Sequence, residues 1–346
     1  MSKCSELFDK CECDALLVLS PSNTFYLSGF ESSNCQIIIT KNEKYFITDR
    51  RYTNEAEIVL KNEFEVIDGD FDSIIDILTP YKKIGWDSDI SYYEAKKVLE
   101  KLSNKTLVEI SKDIETLRMF KSKQELENIV IAQSITEKGF NEALKALKEG
   151  VSEIEIAALI EYVYLKNGAE LAFDSIVAFG KNGASPHAHR TNNKLKSGDF
   201  VTMDIGAKWK GYCSDMTRTV ACGQVSSKQL DVYNTVLQAQ LKAEKEIKAG
   251  MSGYEADKIA RDYIRDKGYG EYFTHALGHS VGVDIHENIT LSMRAKSDII
   301  RNGMVVTVEP GIYIPDFCGV RIEDTVLIEN NVVNPLAHAN KNLIII

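Results

Sequence analysis

The sequence predicts an α/β protein of two domains, the second built from two similar halves. Three observations predict it. The chain has 346 residues, more than a single domain of about 100–200 residues needs. Its first third alternates β-type apolar runs with stretches of helical spacing. The rest contains the same helix-opening pattern twice, at Gly150 and again at Gly250.

In the first third, residues 15–19, 36–40, 44–48 and 83–86 read as strands, and residues 52–60, 70–78 and 92–102 as helices. Asn42 and Glu43 between two of the strands mark a tight hairpin. The first domain is expected to span residues 1–115 and the second 116–346, with the changeover inside 111–120. A long polar–apolar helical pattern runs over 113–147, with an amphipathic helix of its own from Lys123.

Gly150-Val151-Ser152-Glu153-Ile154-Glu155 recurs as Gly250-Met251-Ser252-Gly253-Tyr254-Glu255. In both copies Ser stands three residues before Glu, the spacing of a capping box that satisfies the free amides opening a helix. Both helices then run to a glycine, Gly168 and Gly268, suited to a left-handed stop. An amphipathic helix precedes each copy and strands follow it. The turn and apolar run ending in Asp204 match the turn and apolar run ending in Glu309. Two such units facing each other make a pseudo-symmetric α/β domain with a shared crevice.

Asp204 ends one β-type run and Asp215 lies in the next; with a loop over 208–211 and simple register, the two acids face each other. Glu309 and Glu323 repeat the arrangement around a loop centred on Asp316. Opposed residues on one sheet face bring their Cβ atoms within about 4.5–5.5 Å, and paired carboxylates repel unless something compensates. Four acids converging from matched hairpins call for two divalent ions. A histidine to complete the site is available in the glycine-punctuated stretch His275-Ala276-Leu277-Gly278-His279-Ser280-Val281-Gly282, which His286 follows. Oxygen-rich donors with one imidazole suit Mn2+, Co2+, Fe2+ or Zn2+ better than calcium. Paired ions of this kind bind a bridging water or hydroxide and polarise a carbonyl, so hydrolysis follows.

Composition narrows the classes further. Lys and Arg total 41 against 51 Asp and Glu, a net charge of −10, which argues against nucleic-acid partners. No apolar run is long enough to cross a membrane and no signal-peptide pattern opens the chain. Seven cysteines without a Cys-x-x-Cys pair fit free thiols in a reducing cytoplasm.

Five stretches carry a family resemblance: Asp204-Ile205-Gly206, Ser214-Asp215-Met216-Thr217-Arg218, the run from His275 to His286, Val308-Glu309-Pro310-Gly311-Ile312-Tyr313, and Val320-Arg321-Ile322-Glu323-Asp324. Together they resemble the pita-bread metallopeptidases of the aminopeptidase P and prolidase branch. The resemblance implies a creatinase-like amino-terminal α/β domain followed by a pseudo-symmetric pita-bread α+β catalytic domain. It implies that Asp204, Asp215, His279, Glu309 and Glu323 bind two metal ions, Mn2+ foremost. It implies catalytic roles for His187 beside the substrate, for His275 and His286 as donors to substrate or oxyanion, and for Glu309 as proton shuttle. Arg321 would hold a carboxylate by a charge-assisted fork, or form a plain salt bridge. His189 receives no role and is expected at the surface.

The expected activity is that of a cytoplasmic, homodimeric Xaa-Pro aminopeptidase acting on proline-containing peptides. The alternative is an Xaa-Pro dipeptidase (prolidase); the lean to the aminopeptidase rests on a short chain without insertions that could close the site around a dipeptide. Methionine aminopeptidase, a metal-free creatinase-like hydrolase and a non-catalytic binding relative are more distant alternatives.

Overall fold

The computed structural model describes residues 2–346. The chain divides into two compact units, Met1–Arg118 and Met119–Ile346.

The first unit runs α1 (Lys3–Lys10), β1 (Ala15–Val18), α2 (Pro21–Ser28), β2 (Cys35–Thr40), β3 (Lys44–Thr48), α3 (Thr53–Leu60), β4 (Glu65–Asp68), α4 (Phe71–Leu78), β5 (Lys83–Trp86), α5 (Tyr92–Lys101), β6 (Thr106–Glu109) and α6 (Ser111–Met119). The strands form one mixed sheet in the order β4-β3-β2-β1-β5-β6. β2 runs antiparallel to both its neighbours and the remaining pairs are parallel. Every residue of β1 is buried, as befits a strand in the middle of a sheet covered on both faces. The edge strands β4 and β6 are the two that the apolar pattern does not mark. Each has an exposed residue at both ends, so neither carries a run of buried apolar side chains. Helices α1 and α2 are likewise not marked by it.

The second unit begins with α7 (Lys123–Ala146) and α8 (Glu153–Lys166), followed by β7 (Glu170–Leu171), β8 (Ile176–Phe179), β9 (Phe200–Ile205), β10 (Ala207–Trp209), β11 (Tyr212–Cys213) and β12 (Met216–Ala221). It continues with α9 (Ser227–Glu246), α10 (Gly253–Asp266), β13 (Gly278–Ser280), β14 (Glu287–Leu291), β15 (Val305–Val308), β16 (Gly311–Ile314), β17 (Cys318–Arg321), β18 (Asp324–Glu329) and β19 (Val332–Pro335). The helical pattern over 113–147 is not continuous. Ser122 accepts from the Glu125 amide while Glu125 reaches back to the Ser122 amide, and this capping box starts α7 afresh.

The duplication extends to the backbone. Both Ser-to-Glu capping boxes form, and Gly168 and Gly268 stop their helices at φ 75° and 86°. The Gly150 amide donates to Leu195 O and the Leu195 amide to Val151 O. In the second half the Gly250 amide donates to Ile300 O and the Ile300 amide to Met251 O. Each half has its own apolar core, one under α7 and α8 and one under α9 and α10. This is the pita-bread fold. Among the described residues no helix is long and apolar enough to cross a membrane.

The two acidic hairpins differ in register. The second is as expected: β15 pairs Val308 with Asp324, β16 pairs Gly311 with Arg321, and the same register places Glu309 opposite Glu323. In the first, Asp204 pairs with Thr217, not with Asp215. The turn is the two-residue Lys210-Gly211, with φ 45° and 77°, because right-twisted strands favour a tight primed turn. That slides the register by two residues, puts Asp215 level with Gly206, and leaves both acids on one face, offset diagonally.

Candidate metal centre and active site

The ends of β9, β13 and β15, with the connections before β12 and β18, deliver their side chains into one cavity of about 490 Å³. Asp204, Asp215, His279, Glu309, Glu323, His187, His275, His286 and Arg321 all line it. Every residue singled out for the site by sequence is therefore brought to one place. His189 is exposed and lies outside the lining.

At the centre, His279 Nε2 stands 3.5 Å from Asp215 Oδ2 and 3.3 Å from Glu309 Oε1. Its Nδ1 lies 3.2 Å from Ser280 O. With Nδ1 held at that carbonyl, Nε2 is turned to the acids: without a cation it carries a proton directed at Glu309, and releasing that proton would free the lone pair a metal ligand needs. Asp215, His279 and Glu323 each offer a donor atom within 4.8 Å of the other two. Asp215 and Glu323 are almost wholly buried, at 5 % and 1 % exposure. Burial, with repulsion from Glu309 and Asp204 and, for Asp215, from Glu323, pushes both carboxyl groups well above the usual carboxylate range. Burial also pushes Glu309 up, but the hydrogen bond and charge of His279, with the Arg321 guanidinium, outweigh it and hold it at about 2.

Three buried carboxylate oxygens, Asp204 Oδ1, Asp215 Oδ1 and Glu323 Oε1, have no hydrogen-bond partner. Buried polar atoms are almost always paired, and a buried acid without a counter-charge is costly. Hard oxygen donors around one imidazole, with lone pairs left open, fit divalent cations.

Side chains that sequence reasoning passed over hold this set in place. Thr217 donates to Glu323 Oε2 at 2.6 Å. Thr307 donates to Glu309 Oε1 at 3.0 Å and accepts from the His279 amide at 3.0 Å. Each threonine stands two residues from an acid, Thr217 from Asp215 and Thr307 from Glu309, so strand parity alone could have placed it on the site face. Tyr313 accepts from Arg321 Nη1 at 2.5 Å and lies 2.9 Å from His275 Nε2. Phe173, Ile176, Pro186 and Ile285 supply an apolar wall; they are scattered in sequence and carry no pattern.

Two expectations change in detail. Arg321 is engaged within the protein: Nε donates to Thr217, Nη1 to Tyr313 and to Pro186 O, and Nη2 to Asp204. Its contact with a carboxylate is thus single and internal, not a fork. His275 has both ring nitrogens occupied, Nδ1 by Ala276 O at 2.8 Å and Nε2 by Tyr313, so it is a fixed group and not a free donor. Burial lowers the pKa of His275 and of His286, whose ring sits 4.3 Å from that of His279. His187 is exposed at the cavity rim.

A duplicated α/β domain closing over four acids and an imidazole defines a protein of the metal-dependent hydrolase class. The chain belongs to metallopeptidase family M24, whose model matches residues 127–330, and the creatinase/prolidase N-terminal domain matches residues 1–120. An Xaa-Pro dipeptidase of Pyrococcus furiosus is 37% identical over 349 residues, covering 99% of both chains. The solved Xaa-Pro dipeptidase of Bacillus anthracis superposes with a TM-score of 0.93 at 37% identity, covering 99% of this chain and 98% of that one. The X-Pro aminopeptidase of Thermotoga maritima superposes at 0.92 with 34% identity, covering 99% of this chain and all of the other.

Proposed function

We propose that this chain is an Xaa-Pro dipeptidase, hydrolysing the bond between an amino-terminal residue and a carboxy-terminal proline. The hydrolytic reading rests on one observation: four acids and an imidazole share a cavity in which three buried carboxylate oxygens have no partner. The dipeptide reading is favoured by relatives of that name which match it end to end. A short chain without insertions does not favour the aminopeptidase over it, because relatives named dipeptidases match this chain over 99% and 98% of their own length. The aminopeptidase stays as the second reading, supported by the Thermotoga maritima structure.

Two divalent ions, Mn2+ foremost, would be held by Asp204, Asp215, His279, Glu309 and Glu323, and would supply Lewis acidity toward the scissile carbonyl. Glu309, oriented by Thr307, would take a proton from the attacking water and deliver it to the prolyl nitrogen, which as a tertiary amide must be protonated to leave. His187 and His286 on the cavity wall would donate to substrate oxygen, and the Arg321–Tyr313 pair would fix Asp204 and His275. The apolar wall suits a pyrrolidine ring. The net charge of −10 and the seven free thiols support a cytoplasmic enzyme without nucleic-acid partners; the homodimer is proposed from the family resemblance alone.

The deciding assay uses Mn2+-loaded protein on an Xaa-Pro dipeptide and an Xaa-Pro-Pro tripeptide, with and without EDTA. Cleavage of the dipeptide alone, abolished by EDTA, is expected. Cleavage of the tripeptide would transfer the assignment to the aminopeptidase, and cleavage of neither would overturn the peptidase reading.

A further inference from the structure

Two buried carboxylates outside the cavity hold the loops that bring His187 and His275 to it. Glu153, in the first turn of α8, is fully buried, and every hydrogen bond it accepts comes from a neutral group. Its Oε1 accepts from the Phe179 amide at 2.8 Å and from Asn182 Nδ2 at 2.9 Å. Its Oε2 accepts from the Thr191 amide at 2.8 Å and the Thr191 hydroxyl at 2.7 Å. Asn182 also reaches Oε2 and His189 O, and Asn193 Nδ2 lies 3.4 Å from Oε1. The segment 179–193 therefore has both feet on one carboxylate, with His187 between them.

The second half reaches the same end by another residue. The position matching Glu153 is Gly253, where any Cβ would collide with Thr290 O, so no side chain can work from there. One helical turn later, on the same face, stands Asp257, also fully buried. Asp257 Oδ1 accepts from the Leu277 amide at 3.0 Å. Both its oxygens hold Arg261, Nε at 2.6 Å and Nη2 at 2.9 Å. Arg261 in turn donates to Phe273 O at 2.8 Å and His275 O at 2.6 Å and lies over the Phe273 ring, which meets His275 edge-on. The matching residue in the first half is Ala157.

We propose that Glu153 and Asp257 are positioning residues, each fixing from the first turns of its half's helix the loop that carries one histidine of the site. The effect on turnover rests on the hydrolase reading above; the pinning itself does not. Around Glu153 only donors converge, so an acceptor-only group is required and an amide would turn its own N–H against one of them.

The test is a double-mutant cycle in the full-length, Mn2+-loaded protein, read by dipeptide kinetics, metal content and hydrogen exchange. Glu153→Gln should speed exchange over 179–193 and lower kcat by about tenfold or more, with KM and metal content little changed. In a His187→Ala background the same substitution should cost less than about twofold, because two residues acting through one group are not additive. Asp257→Asn with His275→Ala, read over 273–277, should behave alike. Equal losses in both backgrounds, or unchanged exchange over the loop, would overturn the proposal. Should Glu153→Gln fail to fold, Thr191→Val removes a single donor and enters the same cycle. An inert wild-type enzyme would refute the hydrolase reading, while the exchange data would still decide the pinning.

Discussion

Arg321, a residue 3 % exposed, donates to Asp204, Thr217, Tyr313 and Pro186 O, so its planar fork is filled by the protein before any substrate arrives. The protons line up along this chain of contacts: an Arg321 N–H to the Tyr313 oxygen, and the Tyr313 O–H to His275 Nε2, whose Nδ1–H then faces Ala276 O. One residue thus orients a proposed metal ligand and a histidine on the cavity wall together. Lysine has a single charged nitrogen and cannot reproduce those directions. Arg321→Lys should therefore lower kcat/KM by about tenfold or more with the far-ultraviolet circular dichroism unchanged. A variant with wild-type kinetics would show that the network is structural only.

At the scale of elements, the two hairpins explain what the sequence discloses and what it withholds. Glu309 and Glu323 could be paired from the chain alone because the loop centred on Asp316, itself at φ 58°, leaves one symmetric register. Asp204 and Asp215 could not, because the choice between a loop over 208–211 and the tight Lys210-Gly211 turn is made by strand twist, which composition does not reveal. The slide by two residues preserved the face, so the site was legible even where the register was not. The edge strands β4 and β6 escaped for want of a buried run, and Thr217, Thr307 and Tyr313 because a neutral hydroxyl stands out only once its partners are in place. The diagonal offset also explains Gly206. A Cβ there would run into Ser214 O and the Phe173 ring, so the strands between the two acids can approach only over glycine. Gly206→Ala should cost about 1–3 kcal/mol and abolish Mn2+ binding in calorimetry. Gly250→Ala, with φ 94° but open space around it, should cost about 1–2 kcal/mol from the backbone alone and keep the metal.

For the molecule as a whole, the duplication sets the two halves against each other across the cavity. Asp204 and Asp215 come from the first half, Glu309 and Glu323 from the second, and without cations these acids repel. The sign of the pH dependence follows from Asp215 and Glu323, whose pKa values burial and repulsion from neighbouring acids raise well above 3.8 and 4.5. Groups raised in the folded state bind protons there that the unfolded chain has released. Through these two groups the metal-free fold loses stability as pH climbs above those unfolded values, whereas Glu309, held at about 2, acts with the opposite sign below its own unfolded value. Bound cations displace the protons and replace repulsion with attraction, so their affinity grows with pH. The difference in Tm between Mn2+-saturated and EDTA-treated protein should accordingly be small near about pH 5 and reach about 5–10 °C near about pH 8, given ~2.7 kcal/mol at a hundredfold excess over Kd. Scanning fluorimetry at both values measures it. A gap that is flat, or wider at acid pH, would mean that the acids of the two halves do not share cations, and the dinuclear centre would have to be abandoned.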